Sequence, residues 1–193
     1  MFKLLPCLAL LMIVSCGHPA YKNPHIIIET EMGDIEVELF KDKAPKTTAA
    51  FLSYIDSGFY NNSSFYRVLK TDEFPSAINT GIIQGGMWQT NPAKNQTIAG
   101  IEHETTKLTG LTHESGTISL ARLAPGTAST EFFICIGDQS PLDYGRRGTE
   151  DGQGFAAFGQ VFKGMTVVRN IQAKKSHGDK LEEKIVIKKI TRL

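Results

Sequence analysis

The sequence predicts a mainly β fold, a closed or nearly closed antiparallel barrel, and two observations carry that prediction. Short strand-like runs recur from residue 25 to the end with turn residues between them, and helical periodicity appears in only two separated places. A parallel sheet would need a long crossover after nearly every strand.

At the N-terminus, MFKLLPCLALLMIVSCG places Lys3 before an apolar run from Leu4 to Val14. That run is too short to span a bilayer and reads as the hydrophobic core of a signal peptide. It ends in Ile13-Val14-Ser15-Cys16, an order that resembles the bacterial lipoprotein signal, in which the chain is cut before the cysteine and the cysteine is lipidated. An ordinary secretory signal cut near Ala20, or a buried helix, are the other readings. On the lipoprotein reading, residues 1–15 are signal peptide, 16–24 are the lipidated Cys16 and a tether, and 25–193 form one domain with a full core.

HIIIETEMGDIEVELF then gives a hairpin around Met32-Gly33-Asp34, with Ile35, Val37 and Leu39 alternating with Glu36 and Glu38, so one face is expected to be wet. Ala44-Pro45 opens a helix in which Thr48, Phe51, Leu52 and Ile55 share a stripe, and Gly58 stops it. Further strands are expected at Ser64–Leu69, Ile82–Gln84, Thr117–Ala121, Glu131–Ile136 and Ala156–Val161. Met165, Val168 and Ile171 mark a second helix after Gly164, and Lys184–Lys188 is the last strand. The long irregular segments between these elements are where function usually sits.

The formal charge is +1 and the basic residues are scattered, so nothing points to nucleic acid. Cys135 lies in FFICI and reads as a small buried hydrophobe without a disulfide partner. His103-Glu104 and His113-Glu114 begin like zinc-protease motifs, but Lys107 and Thr117 stand where the second histidine should be. These residues, with Glu102, therefore read as solvated loop residues and not as a metal site. No Gly-x-Ser-x-Gly elbow or phosphate-cradling loop is present.

One strand is anomalous. In SSFYRVLK, alternation puts Phe65, Arg67 and Leu69 on one face and Tyr66 and Val68 on the other, so a permanent charge sits among apolar neighbours. Such a charge is costly unless it is paired or used.

FYRV, IIQGG, GTISLAR, STEFFI and FAAFGQVFKGM, in that order over most of the chain, resemble the cyclophilin-type peptidyl-prolyl cis-trans isomerases. The resemblance implies a closed eight-stranded antiparallel barrel capped by two helices, with a shallow proline-binding groove outside the barrel and no metal or cofactor. It makes Arg67 the catalytic residue, donating to the prolyl nitrogen, and Gln84 the glutamine that holds the substrate backbone. Ile82, Phe133 and Leu142 line the proline pocket, Ala121 and Arg122 lie where the backbone meets the peptide, and Phe65, Glu131 and Phe155 are counted among the substrate contacts. Glu131 stands where most members have glutamine, Pro141 where the drug-binding members have tryptophan, and Phe155 where a histidine or tyrosine edges the groove. Gly81 replaces a pocket phenylalanine after the extra segment Thr71–Thr80, from which Phe74 is expected to supply the missing wall.

The expected function is isomerisation of X-Pro bonds in exported proteins by a monomer that binds proline-containing polypeptides. Its expected place is the bacterial cell envelope, lipid-anchored at the periplasmic face of the outer membrane, because Gly17 lacks an acidic retention signal. The alternative is a proline-peptide binding or chaperone module with little turnover.

Overall fold

The computed structural model describes residues 21–71 and 80–193; the expected signal peptide, Cys16 and Phe74 lie outside them. The expected hairpin is β1 (His25–Thr30) and β2 (Gly33–Leu39), in register from His25 opposite Glu38 to Thr30 opposite Gly33. Ile35, Val37 and Leu39 face the interior as alternation requires. The other face is less wet than expected. Glu36 is only 9% exposed, because His25 Nδ1 lies 2.8 Å from its carboxylate and Lys163 Nζ, on the strand opposite, lies 3.2 Å from it.

α1 (Pro45–Asp56) buries Thr48, Phe51, Leu52 and Ile55, as their spacing predicts. Its first turn has no local side-chain cap. Instead Glu104 accepts hydrogen bonds from Thr47 N at 2.7 Å and Lys46 N at 3.2 Å, a carboxylate at the positive end of the helix. Glu104 is thus a buried cap and not the solvated loop residue expected.

β3 (Ser63–Thr71), β4 (Thr80–Gly86), β5 (Thr117–Leu120), β6 (Phe132–Ile136) and β7 (Ala156–Lys163) all overlap the expected strands. Between β4 and β5 the chain makes two single-turn helices, α2 (Pro92–Asn95) and α3 (Thr106–Thr109). After β7 comes α4 (Met165–Gln172), then the two-residue β8 (Ser176–His177) and β9 (Lys180–Arg192).

The strands neighbour one another in the order β1-β2-β7-β5-β6-β4-β3-β9, and β9 returns to β1 from Ile26 opposite Arg192 to Thr30 opposite Ile187. Eight antiparallel strands therefore close on themselves and leave no edge, while β8 hangs from the start of β9. Closure explains why β9 is far longer than the expected Lys184–Lys188. It must pair with β3 at one end and β1 at the other, and a register shift opposite Glu29 and Thr30 carries its inward set from Ile185 and Ile187 to Ile190.

α1 and α4 cover the barrel; α4 packs on β2, β3, β4 and β6 through Val168 and Ile171. Inside, Phe51, Tyr60, Phe132 and Phe158 meet at centroid distances of 5.0–5.7 Å, and Phe65 joins Phe132 at 5.7 Å. Burial of each such ring stabilises the fold by roughly 1.5–3 kcal/mol.

Candidate active site

The site lies on the outer face of β3, β4, β5 and β6, and a β-bulge creates it. Phe65 is opposite Gly85 and Arg67 is opposite Gln84, so Tyr66 is an extra residue in the ladder. Simple alternation therefore fails. Phe65 and Val68 point into the barrel, fully buried, while the side chains of Tyr66 and Arg67 both meet Gln84 outside it. This removes Phe65 from the expected substrate contacts: it belongs to the interior, against Phe132, and cannot reach a peptide outside.

Arg67 donates from Nε to Asp179 Oδ2 at 2.6 Å and from Nη1 to Gln84 Oε1 at 2.8 Å, and its side chain keeps 35% exposure. A guanidinium has five N–H donors, so three are without a partner among the described residues. Asp179, in the turn between β8 and β9, is held below the usual carboxylate range by that bond to Arg67. Gln84 donates in turn to Tyr66 Oη at 3.1 Å, and Tyr66 donates to Glu131 Oε2 at 2.5 Å. Among the described residues, Glu131 meets Arg67 only through this row.

Beside Arg67 is a cleft of about 330 Å³ whose lining includes Ile82, Gln84, Ala121, Arg122, Phe133, Leu142 and Phe155. Eight of the expected site residues, Arg67 among them, thus share one cleft. Ile82, Phe133 and Cys135 form a small apolar cluster there, with Ala121, Leu142 and Phe155 packed against it. Phe155 stands edge-on to Phe133 at 5.3 Å. Burial pushes the Cys135 thiol well above its usual range, which suits a packing role and not a nucleophile. Glu131 lines an adjoining cleft of about 300 Å³ with Trp88, Asn95 and Ser129, and the two share Gln84, Ala121, Arg122 and Leu123. A wider hollow of about 670 Å³ elsewhere is lined mainly by charged side chains such as Glu31, Lys174 and Glu183 and offers no ring-sized apolar wall.

Polar groups hold the apolar wall from behind. His113, expected in solvent, is fully buried: its ring stacks on Phe133 at 5.9 Å, with Nδ1 2.7 Å from Asp143 Oδ1 and Nε2 3.0 Å from Ser119 Oγ. Burial lowers the pKa of His113 although Asp143 opposes the shift. The Asp-His-Ser row resembles a nucleophile with its base, but Ser119 is also fully buried and no substrate carbonyl can reach it. Arg122, expected along the groove, has a side chain only 1% exposed. It grips the loop before β7, with two bonds to Asp151 at 2.7 and 2.8 Å and two to Gly154 O at 2.9 and 2.6 Å, and its guanidinium lies 5.4 Å from the Phe155 ring.

At Gly81 a side chain would collide with Leu69 O, and φ is +132°, so no residue there could fill the phenylalanine position. Leu69 and Gln139 line that side of the cleft. Phe74, expected to supply the wall, lies outside the described residues. Sequence reasoning missed Tyr66, whose exposure depends on an unsignalled bulge. It also missed Asp179, which is 112 residues from its partner.

The family model for "Cyclophilin type peptidyl-prolyl cis-trans isomerase/CLD" matches residues 25–192. A peptidyl-prolyl cis-trans isomerase of Acinetobacter baylyi is 37% identical over 153 residues, covering 79% of this chain and 73% of the relative. Peptidyl-prolyl cis-trans isomerase B of Escherichia coli is 34% identical over 172 residues, covering 86% and 98%. A Cryptosporidium parvum cyclophilin-type isomerase, solved in the presence of the dipeptide Ala-Pro, superposes with a TM-score of 0.66 at 25% identity over 86% of this chain and 96% of that one.

Proposed function

Since this chain belongs to the cyclophilin-type peptidyl-prolyl cis-trans isomerases and is an isomerase of that kind, we propose that it accelerates X-Pro rotation in exported proteins, with Arg67 as the catalytic residue. The observation carrying this reading is a guanidinium with donors to spare beside an apolar cleft. Amide resonance imposes a barrier of roughly 18–20 kcal/mol on the X-Pro bond. In the twisted state the prolyl nitrogen regains a lone pair. Arg67 donates to it there and has nothing comparable to bind in the planar ground state, which is the condition for raising turnover. It stays protonated throughout, so no proton cycle is needed. Ile82, Phe133, Leu142 and Phe155 receive the proline ring, and Gln84 takes the neighbouring peptide backbone. Proline-containing peptide as ligand accords with the Ala-Pro dipeptide of the Cryptosporidium relative.

The test is cis-to-trans isomerisation of a short Xaa-Pro peptide by residues 17–193 and by Arg67→Ala. The variant should stay folded and lose roughly 10²–10³-fold of its turnover, the loss typical of one transition-state donor. Full activity in Arg67→Ala would overturn the mechanism.

The lipoprotein-like signal ending at Cys16, followed by Gly17 in place of an acidic retention residue, supports anchoring at the periplasmic face of the outer membrane. Several lipid chains on one cysteine would hold it there firmly. Expressed in a bacterium, the full chain should fractionate with membranes and Cys16→Ser should not; a Cys16→Ser protein that stays with the membrane would refute the anchor.

A further inference from the structure

The row Arg67–Gln84–Tyr66–Glu131 has a direction. At one end a guanidinium can only donate; at the other the Glu131 carboxyl, although burial raises its pKa, takes hydrogen bonds at both oxygens and acts as the acceptor. Gln84 must therefore turn its oxygen to Arg67 Nη1 at 2.8 Å, and its amide nitrogen then faces Tyr66 Oη at 3.1 Å. Tyr66, accepting there, sends its own proton to Glu131 Oε2 at 2.5 Å. The carboxylate is itself held: its Oε1 accepts from Trp88 N at 2.8 Å, from Thr130 Oγ1 at 3.2 Å and from Asn95 Nδ2 at 3.5 Å. Its cradle is tight, since a side chain at Gly86, where φ is +147°, would strike it.

We infer that Tyr66 and Glu131 are positioning residues for isomerisation: they fix the Gln84 amide so that its second N–H is left for a carbonyl of the substrate backbone. Neither touches the reacting bond. The inference rests on Gln84 contacting the peptide, as in the reading above, and deepens it. With an amide at position 131, either its oxygen or its nitrogen could face Tyr66, and the hydroxyl proton could point either way. With the hydroxyl proton turned to Gln84, two donors would meet, and the amide, its oxygen still held by Arg67, would be pushed out of the place from which its second N–H reaches the substrate. An acceptor at 131 thus keeps Tyr66 accepting from Gln84 and the second Gln84 N–H aimed at a substrate acceptor.

The test uses Tyr66→Phe and Glu131→Gln, both close in shape to the native residue, each also combined with Gln84→Ala. Two readouts are followed on a tetrapeptide with a central Ala-Pro: KM against kcat, and the dissociation constant by NMR titration. Each single variant should raise KM and the dissociation constant about three- to tenfold with kcat nearly unchanged, as for a binding contact made equally in the ground and transition states. The Gln84 side-chain amide resonance should move in both. In the Gln84→Ala background neither substitution should weaken binding further, because they act through Gln84. Unchanged binding in a folded Tyr66→Phe protein, or an equal loss with Gln84 absent, would overturn the inference. The titration needs no turnover, so a failed Arg67 mechanism would show separately, as full activity in Arg67→Ala.

Discussion

Arg67 and Arg122 line the same cleft, and the fold leaves them in opposite states. Arg67 uses two of its donors, on Asp179 and Gln84, and keeps 35% exposure. The Arg122 side chain is 1% exposed and makes five bonds: two to Asp151, two to Gly154 O and a longer one to Leu123 O at 3.4 Å. One cation is available and the other is consumed. The difference separates two jobs that a shared cleft would otherwise blur. A charge that acts on substrate needs free donors in a preorganised place, whereas a charge that holds a wall is best fully satisfied, since a buried unpaired group is costly.

The sharpest way to break the contrast is to remove each arginine in turn. Arg67→Ala should lose roughly 10²–10³-fold in turnover with its melting temperature nearly kept, as transition-state donors do. Next in size is the support behind Phe133. His113→Asn cannot keep both the Asp143 and Ser119 contacts, and loss of buried bonds to a charged partner should destabilise the domain by about 2 kcal/mol, read by urea unfolding. The pH dependence fixes its sign. Burial lowers the folded pKa of His113, so the unfolded chain binds the proton more readily near its ordinary value of about 6.5. Stability from this residue is therefore present above that pH and lost as pH falls below it. The wild-type minus His113→Asn difference should shrink from pH 7.5 to pH 5; a flat difference would contradict it.

Barrel elements were legible wherever a repeat period was at work. The stripe Thr48, Phe51, Leu52, Ile55 and the inward set Ile35, Val37, Leu39 follow from spacing alone, and both are buried. Strand alternation failed at Tyr66, because one inserted residue reverses every later facing and no residue type announces it. His113 and Glu104 were read as solvated for a related reason: they lie in irregular segments whose burial is decided by distant partners, Asp143 and the first turn of α1. The cleft residues came together because the family motifs carry them as a set, but those motifs do not tell a free arginine from a consumed one. That distinction lives in Asp151 and Asp179, which lie outside the motifs.

Arg122→Met keeps the stem and removes all five bonds, so it should loosen the loop before β7. Arg146 and Arg147 are exposed in that loop, and trypsin should cut after them about tenfold faster than in the wild type, the rate following the population of the locally opened state. Turnover should fall less than in Arg67→Ala, because the wall becomes mobile but the donor stays. Unchanged cleavage would mean that Arg122 does not hold the loop.

The smallest expected effect belongs to the partner of the free arginine. Asp179→Asn retains an acceptor for Arg67 Nε and removes the charge from a surface pair whose side chains are 35% and 41% exposed. Pairs this open contribute roughly 0.2–1 kcal/mol, so turnover should fall only about two- to threefold. The bond from Arg67 lowers the folded pKa of Asp179, so the pair is intact above the ordinary carboxylate pKa of about 3.9 and is lost only as pH falls through a still lower value. Between pH 6 and 8 the ratio of wild-type to Asp179→Asn turnover should thus be constant, and it should approach one as salt is raised. A drop as large as that of Arg67→Ala would show that Arg67 works only when clamped at both Nε and Nη1, and would erase the line drawn between the two arginines.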